Sequence, residues 1–172
     1  MRRVERSRLK LAAIALAVAF GFGGPAQARS SADPFALYAR GDYAAAAARL
    51  TPMAEAGNAR AQGLLGFLYE YGHGVPQDFV RAGMWYVCGA EQGDPMAQYL
   101  LGLLYDKGRG VPEDVVLAHK WLILAAARAE RRDRDVYMRV RDAVATKMSI
   151  AQIALAQQLA TQWVPAPKLP VR

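Results

Sequence analysis

Few residues of this chain are of types that could do chemistry. His73 stands between Gly72 and Gly74, ahead of Asp78, in the stretch YGHGVPQDFVRAGMWY at 71–86. A histidine on a tight turn can ligate a metal, and a glycine-rich loop can cradle a phosphate. Cys88 and His119 are of the types that serve as nucleophile and base. The serines after residue 28 are Ser30, Ser31 and Ser149.

These residues do not assemble into a catalytic set. The glycines lack the strand–loop–helix setting and the Lys-Ser/Thr ending of a phosphate loop. Two histidines and one cysteine make a poor zinc site. No third residue stands out to orient Cys88 against His119. Ser149 with Gln152 has the spacing of a helix capping box, which gives its hydroxyl a structural task. The residues therefore predict no catalytic centre, no metal and no cofactor.

The opening stretch recurs. Residues 107–122 read KGRGVPEDVVLAHKWL, and an offset of 36 aligns Ala61–Ala90 with Ala97–Ala126 without a gap, sixteen of thirty pairs being identical. A third, partial copy lies upstream, where Asp42, Ala46 and Ala54-Glu55 precede Asp78, Ala82 and Ala90-Glu91 by the same interval. A fixed period of this length is the signature of stacked helical repeats.

The shared positions say what each unit is. Ala61, Leu64, Leu65, Leu68 and Tyr69 fall on one face of a helix. Gly72 is placed to end that helix in the left-handed conformation. Gly74-Val75-Pro76 makes a turn, with Pro76 suited to open the next helix and Asp78 to cap it. Ala82, Trp85, Tyr86 and Gly89 continue the buried face, and the small Gly66 and Ala82 let the paired helices come close. His73 is replaced by Arg109 in the second copy, so the loop reads as a joint and His73 as a solvent-facing residue on it. Cys88 reads as a small buried hydrophobe, and with one cysteine the chain holds no internal disulfide.

Beyond 126 the repeat fades and helical pattern persists. Val136, Val140, Ala143 and Val144 form an apolar face, opposite arginines and aspartates that read as a solvated, ion-paired surface. Ser149 opens a last helix whose Ile150, Ile153, Ala154 and Trp163 seal the final repeat. Residues 164–172 read as a flexible Pro-rich tail.

The N-terminus reads as a secretory signal peptide over 1–28. Arg2, Arg3, Arg6, Arg8 and Lys10 form its basic region, Leu11–Phe20 its apolar run and Ala26-Gln27-Ala28 its cleavage site. The apolar run is short for a spanning helix and breaks at Gly21–Pro25. Without this segment, the 22 basic and 15 acidic residues become 17 and 14, a net charge of +3. The high pI therefore belongs largely to the leader, which argues against a nucleic-acid partner. The expectation is an exported, periplasmic chain without a stable transmembrane anchor.

The pattern Ala-Gln-x-Leu-Leu-Gly-x-Leu-Tyr, Gly-x-Gly-Val-Pro-x-Asp, Ala-x-x-Trp stands at 61–85 and again at 97–121. It resembles the Sel-one-like repeat family, relatives of the tetratricopeptide repeats. The resemblance implies an all-α, right-handed α/α superhelix of antiparallel helix pairs with a C-terminal helical cap. The units are a degenerate capping repeat at 33–57, repeats at 58–93 and 94–130, and capping helices at 131–163. It also implies a non-catalytic protein–protein interaction module: an adaptor, assembly factor or regulator in the bacterial envelope, binding another envelope protein or peptide. Some cysteine-rich secreted relatives handle β-lactams, so an envelope hydrolase is the alternative. Here, however, Ser-x-x-Lys occurs only at Ser7–Lys10, within the leader.

Helices of this type resemble those lining the concave face of a tetratricopeptide superhelix. The stripe Arg60, Gly63, Phe67, Tyr71 lies beside the core stripe of one repeat, with Met96, Tyr99, Leu103 and Lys107 as its counterparts in the next. These side chains are basic, apolar or aromatic and differ between copies. They are the candidate partner-binding groove, unless Phe67, Tyr99 and Leu103 pack against the next repeat instead.

Overall fold

The computed structural model describes residues 33–168. The signal-peptide reading, and Ser30 and Ser31, lie outside them. The described residues form α1 (Pro34–Ala39), α2 (Tyr43–Glu55), α3 (Ala59–Tyr71), α4 (Phe79–Glu91), α5 (Pro95–Lys107), α6 (Val115–Arg128), α7 (Arg131–Ala145) and α8 (Ile150–Gln162). No strand occurs among them.

Capping sets the helix boundaries. Asn58 accepts the Ala61 N–H at 2.9 Å and Asp94 the Ala97 N–H at 2.7 Å, opening α3 and α5. Asp78 and Asp114 do the same for α4 and α6. Gly72 and Gly108 end α3 and α5 with φ of 68° and 62°. Ser149 and Gln152 complete the expected capping box on α8. Pro76 differs from expectation: α4 starts at Phe79, so the proline stiffens the turn rather than the helix.

Each repeat pairs a first helix with a second, α3 with α4 and α5 with α6. The pairs approach closely because Gly66 has no side chain. A Cβ there would lie 2.7 Å from the Tyr86 ring. Repeats then stack through α2 on α3, α4 on α5, α6 on α7, and α3 against α5. The glutamine of each Ala-Gln pair fastens this stack. Gln62 donates to the Ala54 carbonyl at 2.9 Å and Gln98 to the Ala90 carbonyl at 3.0 Å, both fully buried. Each adds a side-chain donor to a carbonyl at the end of the preceding helix that also accepts the N–H of Gly57 or Gly93 at 3.0 Å.

Both glycines of the loop have work to do. Gly74 and Gly110 also take positive φ, and a Cβ on either would strike backbone at the start of the preceding repeat's second helix: Tyr43 and Ala44 for Gly74, Phe79 for Gly110. The loop is thus a joint between repeats as well as between helices.

The C-terminal helices depart from expectation. On α7 the buried residues are Tyr137 and Val144, while Val136 and Ala143 face solvent. The helix packs on one side only, chiefly against α6 with Tyr99 and Tyr105 of α5 beside it, so its contact stripe runs 137, 140, 144. Its arginines pair in part as read: Arg141 meets Asp142 at 2.7 Å and Arg132 meets Asp133 at 3.4 Å, while Arg134 and Arg139 donate to the Ala129 and Asp135 carbonyls. On α8 the buried residues are Ala156 and Ala160, and Ile150 is exposed. Helix α8 packs on α6, and Trp163 crosses to donate its indole N–H to Glu91 at 2.9 Å. The tail is tied at its start, where Ala166 N–H reaches the Glu91 carbonyl at 2.7 Å.

Candidate partner-binding face

The first helices bring the candidate stripe together with residues from the divergent N-terminal unit. Phe67 lies edge-on to Tyr38, 6.0 Å between centroids, and 4.4 Å from the ring of Tyr71. Its half-buried ring packs against both main core clusters. Tyr71 remains 50% exposed.

His73 joins this group, against the expectation of a solvent-facing loop residue. Its ring stacks on Tyr43 at 4.5 Å and 12°, near Phe67 and Tyr71, and its Nδ1 is buried without a hydrogen-bond partner. The cause is the seating of Gly74 against Tyr43 and Ala44, which pins the loop to the start of α2. The imidazole is then laid over the tyrosine.

The other candidates divide by exposure. Arg60 is exposed, with its guanidinium 4.4 Å over the Phe35 ring. Met96 is half-buried beside Gly63, where a Cβ would meet its terminal methyl at 3.4 Å. Tyr99 stacks on Tyr137 of α7 at 4.2 Å and 12°. Leu103 is half-buried against the second core cluster. Lys107 is exposed and reaches Asp106 at 3.0 Å. Arg60, Tyr71 and Lys107 are therefore presented to solvent, while Phe67, Met96, Tyr99 and Leu103 also carry packing between helices. Tyr38, Tyr43 and Tyr137 share this aromatic face but lie in units without the repeat signature, so no register marked them.

The face is electrostatically quiet. Burial raises the phenol pKa of Tyr71, Glu70 adding to the rise and Arg109 opposing it. Burial likewise raises Tyr99, with Tyr71 adding to it. Tyr137 is pushed up to about 12 by burial and by Asp133, Asp94 and Tyr99. These rings are neutral near pH 7, offering π-faces and hydroxyls rather than charge. Cation charge sits at the edges, on Arg60, Lys107 and Arg109. Arg60 also borders a cleft of about 740 Å³ over the inter-repeat turns, lined besides by Met53, Asn58, Asp94 and Lys168.

The residues weighed for catalysis are otherwise engaged. Cys88 is half-buried, and burial raises its thiol pKa. His119 is buried between α6 and α7, and burial lowers its pKa although the Arg141 carbonyl opposes this. The Ser149 hydroxyl accepts the Gln152 N–H at 3.3 Å. Among the described residues no group of three His, Cys, Asp or Glu side chains could hold a metal, and no helix is long and apolar enough to cross a membrane.

A protein-family model described as the Sel1 repeat matches residues 59–94 and 95–129. Among solved structures, the chain is similar to a protective antigen present in uropathogenic Escherichia coli strains displaying an SLR fold. The TM-score is 0.68 at 27% identity, covering 80% of this chain and 31% of that one. It is also similar to a Sel1 repeat protein from Oxalobacter formigenes, with a TM-score of 0.58 at 30% identity, covering 76% of this chain and 54% of that one. The chain thus spans about a third and about half the length of these two. No curated protein matches it.

Proposed function

We propose that this chain, a Sel1 repeat protein with two such repeats, is a non-catalytic interaction module of a bacterial envelope, acting as adaptor, assembly factor or regulator. Sel1 repeats are protein–protein interaction modules. The observation that carries the reading is the aromatic face on the first helices, where Tyr71 stays half exposed and the same helices present the exposed cations Arg60 and Lys107. Neutral rings with cationic edges suit an extended peptide or a partner helix that brings apolar side chains and carboxylates. The envelope location rests on the leader-like sequence of residues 1–28.

The test is a crosslinking pull-down with the protein in its native envelope, beside an Arg60→Ala/Tyr71→Ala/Lys107→Ala variant checked by circular dichroism. These three positions are exposed, so the variant should stay folded. One protein captured by the wild type and lost with the variant supports the reading. Equal capture by both moves the binding surface elsewhere. Turnover of a chromogenic β-lactam by the purified protein would overturn the non-catalytic assignment.

A further inference from the structure

Four residues at the junction after α4 and along α6 make a seat for Trp163. Its indole N–H donates to the Glu91 carboxylate at 2.9 Å. Its ring meets Trp121 edge-on at 6.2 Å, and the Arg128 guanidinium lies over it at 4.5 Å. The far edge of the ring reaches Gly93, where a Cβ would stand 3.5 Å away. Three residues further on, the Ala166 N–H donates to the Glu91 carbonyl at 2.7 Å. An indole followed by extended backbone is thus held by side chain and main chain together.

The 36-residue offset gives each seat residue a counterpart one repeat earlier. Glu91, Trp121 and Gly93 map onto Glu55, Trp85 and Gly57, identical in type, and Arg128 maps onto Gln92. Repeats of one architecture place such counterparts alike. Gly57 and Gln92 line the cleft of about 740 Å³, a size within the range of ligand sites. Glu55 is exposed, and Trp85 is half-buried where Trp121, beneath Trp163, is 4% exposed. Gln92 donates its N–H to Gln62 at 2.6 Å, so it offers a ligand the face of its amide. The protein's own tail forms a wall of the cleft through Ala166 and Lys168.

We infer that this cleft is a second binding site, and that it takes a tryptophan side chain from an extended partner segment as its counterpart takes Trp163. The Glu55 carboxylate accepts the indole N–H, and the ring lies against Trp85 and the Gln92 amide. The Glu55 carbonyl stands at the end of α2, where intrahelical partners run out, and accepts a backbone N–H of the segment. Arg60 and Lys168 also line the cleft and favour a segment that brings a carboxylate. Asp94, the acidic lining residue, is occupied with the Ala97 N–H at 2.7 Å. The site does not rest on the aromatic face of the first helices. Arg60 borders both and is left unchanged in the test.

A fluorescein-labelled peptide copying residues 163–167, Trp-Val-Pro-Ala-Pro with a free C-terminal carboxylate, tests this by anisotropy against the purified protein. The wild type should bind it, and should not bind the same peptide with alanine in place of tryptophan. Glu55→Gln should weaken binding about tenfold, the loss of a hydrogen bond to a charged acceptor. Gln92→Arg installs the residue that lies over the ring in the second repeat and should tighten binding. Circular dichroism checks that both variants fold. Glu91→Gln loosens the protein's own Trp163 and should not weaken the peptide. A wild type without saturable binding overturns the inference, as does equal binding of the alanine peptide. Weakening by Glu91→Gln with none by Glu55→Gln overturns it too, because the peptide would then be replacing the protein's own tail.

Discussion

Tyr43 and His73 lie stacked, ring centroids 4.5 Å apart and planes 12° from parallel. One residue opens α2 and the other sits in the loop after α3. Their contact is where the divergent N-terminal unit meets the first full repeat, so the loop residue that looked like a ligand is a packing element. An aromatic pair of this kind contributes about 1 kcal/mol beyond its buried area. His73→Ala should therefore lower stability by about that amount in urea unfolding, and His73→Phe should restore most of it. No change with His73→Ala would show that the stack carries no energy.

The two repeat tryptophans should differ. Trp121 is 4% exposed and faces Trp163 edge-on at 6.2 Å. Trp85 is only half-buried. Trp121→Ala should cost about 3–5 kcal/mol, as for a buried aromatic, and Trp85→Ala about half that. Equal losses in chemical denaturation would contradict the burial difference.

Gly110 has φ of +68°, and a Cβ there would press on the Phe79 carbonyl. Gly110→Ala combines left-handed strain with a backbone clash and should cost about 2–4 kcal/mol. Gly41 has φ of +82° but nothing within 4 Å of its Cβ position. Gly41→Ala should thus cost only the strain, about 1–2 kcal/mol. Thermal melts of the two variants separate strain from contact.

His119 should make the C-terminal cap acid-sensitive. Its folded pKa lies below the free imidazole value, chiefly through burial, and the groups facing it from α7 are the Arg141 carbonyl, the Arg141 guanidinium and Asp142. The unfolded chain then binds the extra proton first, so stability falls as pH drops below about 6.5 and keeps falling until the folded group itself titrates. The difference in Tm between wild type and His119→Gln should shift against the wild type over that window. Parallel curves for the two proteins from pH 7.5 to about 5 would refute it.

Asp106 is buried, which by itself would raise its carboxyl pKa, yet Lys147 at 2.7 Å and Lys107 at 3.0 Å bring it below the usual value. Lys147 comes from just beyond α7, so the pair ties the cap to the end of α5. Lys147→Met should destabilise by no more than about 1 kcal/mol, since both lysines are half exposed and Lys107 remains. Asp106→Asn should cost more, because it removes the counter-charge of both lysines and puts amide N–H donors where the carboxylate accepted from two ammonium groups. Equal losses for the two variants would mean the carboxylate has no role beyond the Lys147 pair.

What the sequence determined by itself is the repeating part. The 36-residue offset, the Asp78 cap, the left-handed Gly72 and the Gly66 contact are all legible because they are local, acting within a helix or between neighbouring helices of one unit. Even the buried Gln62 and Gln98 were marked by the Ala-Gln pattern, though their task as acceptor-seeking donors across eight residues became visible only in the fold. Tertiary structure decided the ends. The stacking of His73 on Tyr43, the pairing of Tyr99 with Tyr137, and the seating of α8 on α6 all involve elements without the repeat signature. Periodicity says that a helix has an apolar side, but not which neighbour will meet it. On α7 the side that packed was set by Tyr137 and Val144 meeting α6, and on α8 by Ala156 and Ala160. At the ends of a stack, contact with one neighbour selects the buried face, and no second copy of the motif repeats that choice in the sequence.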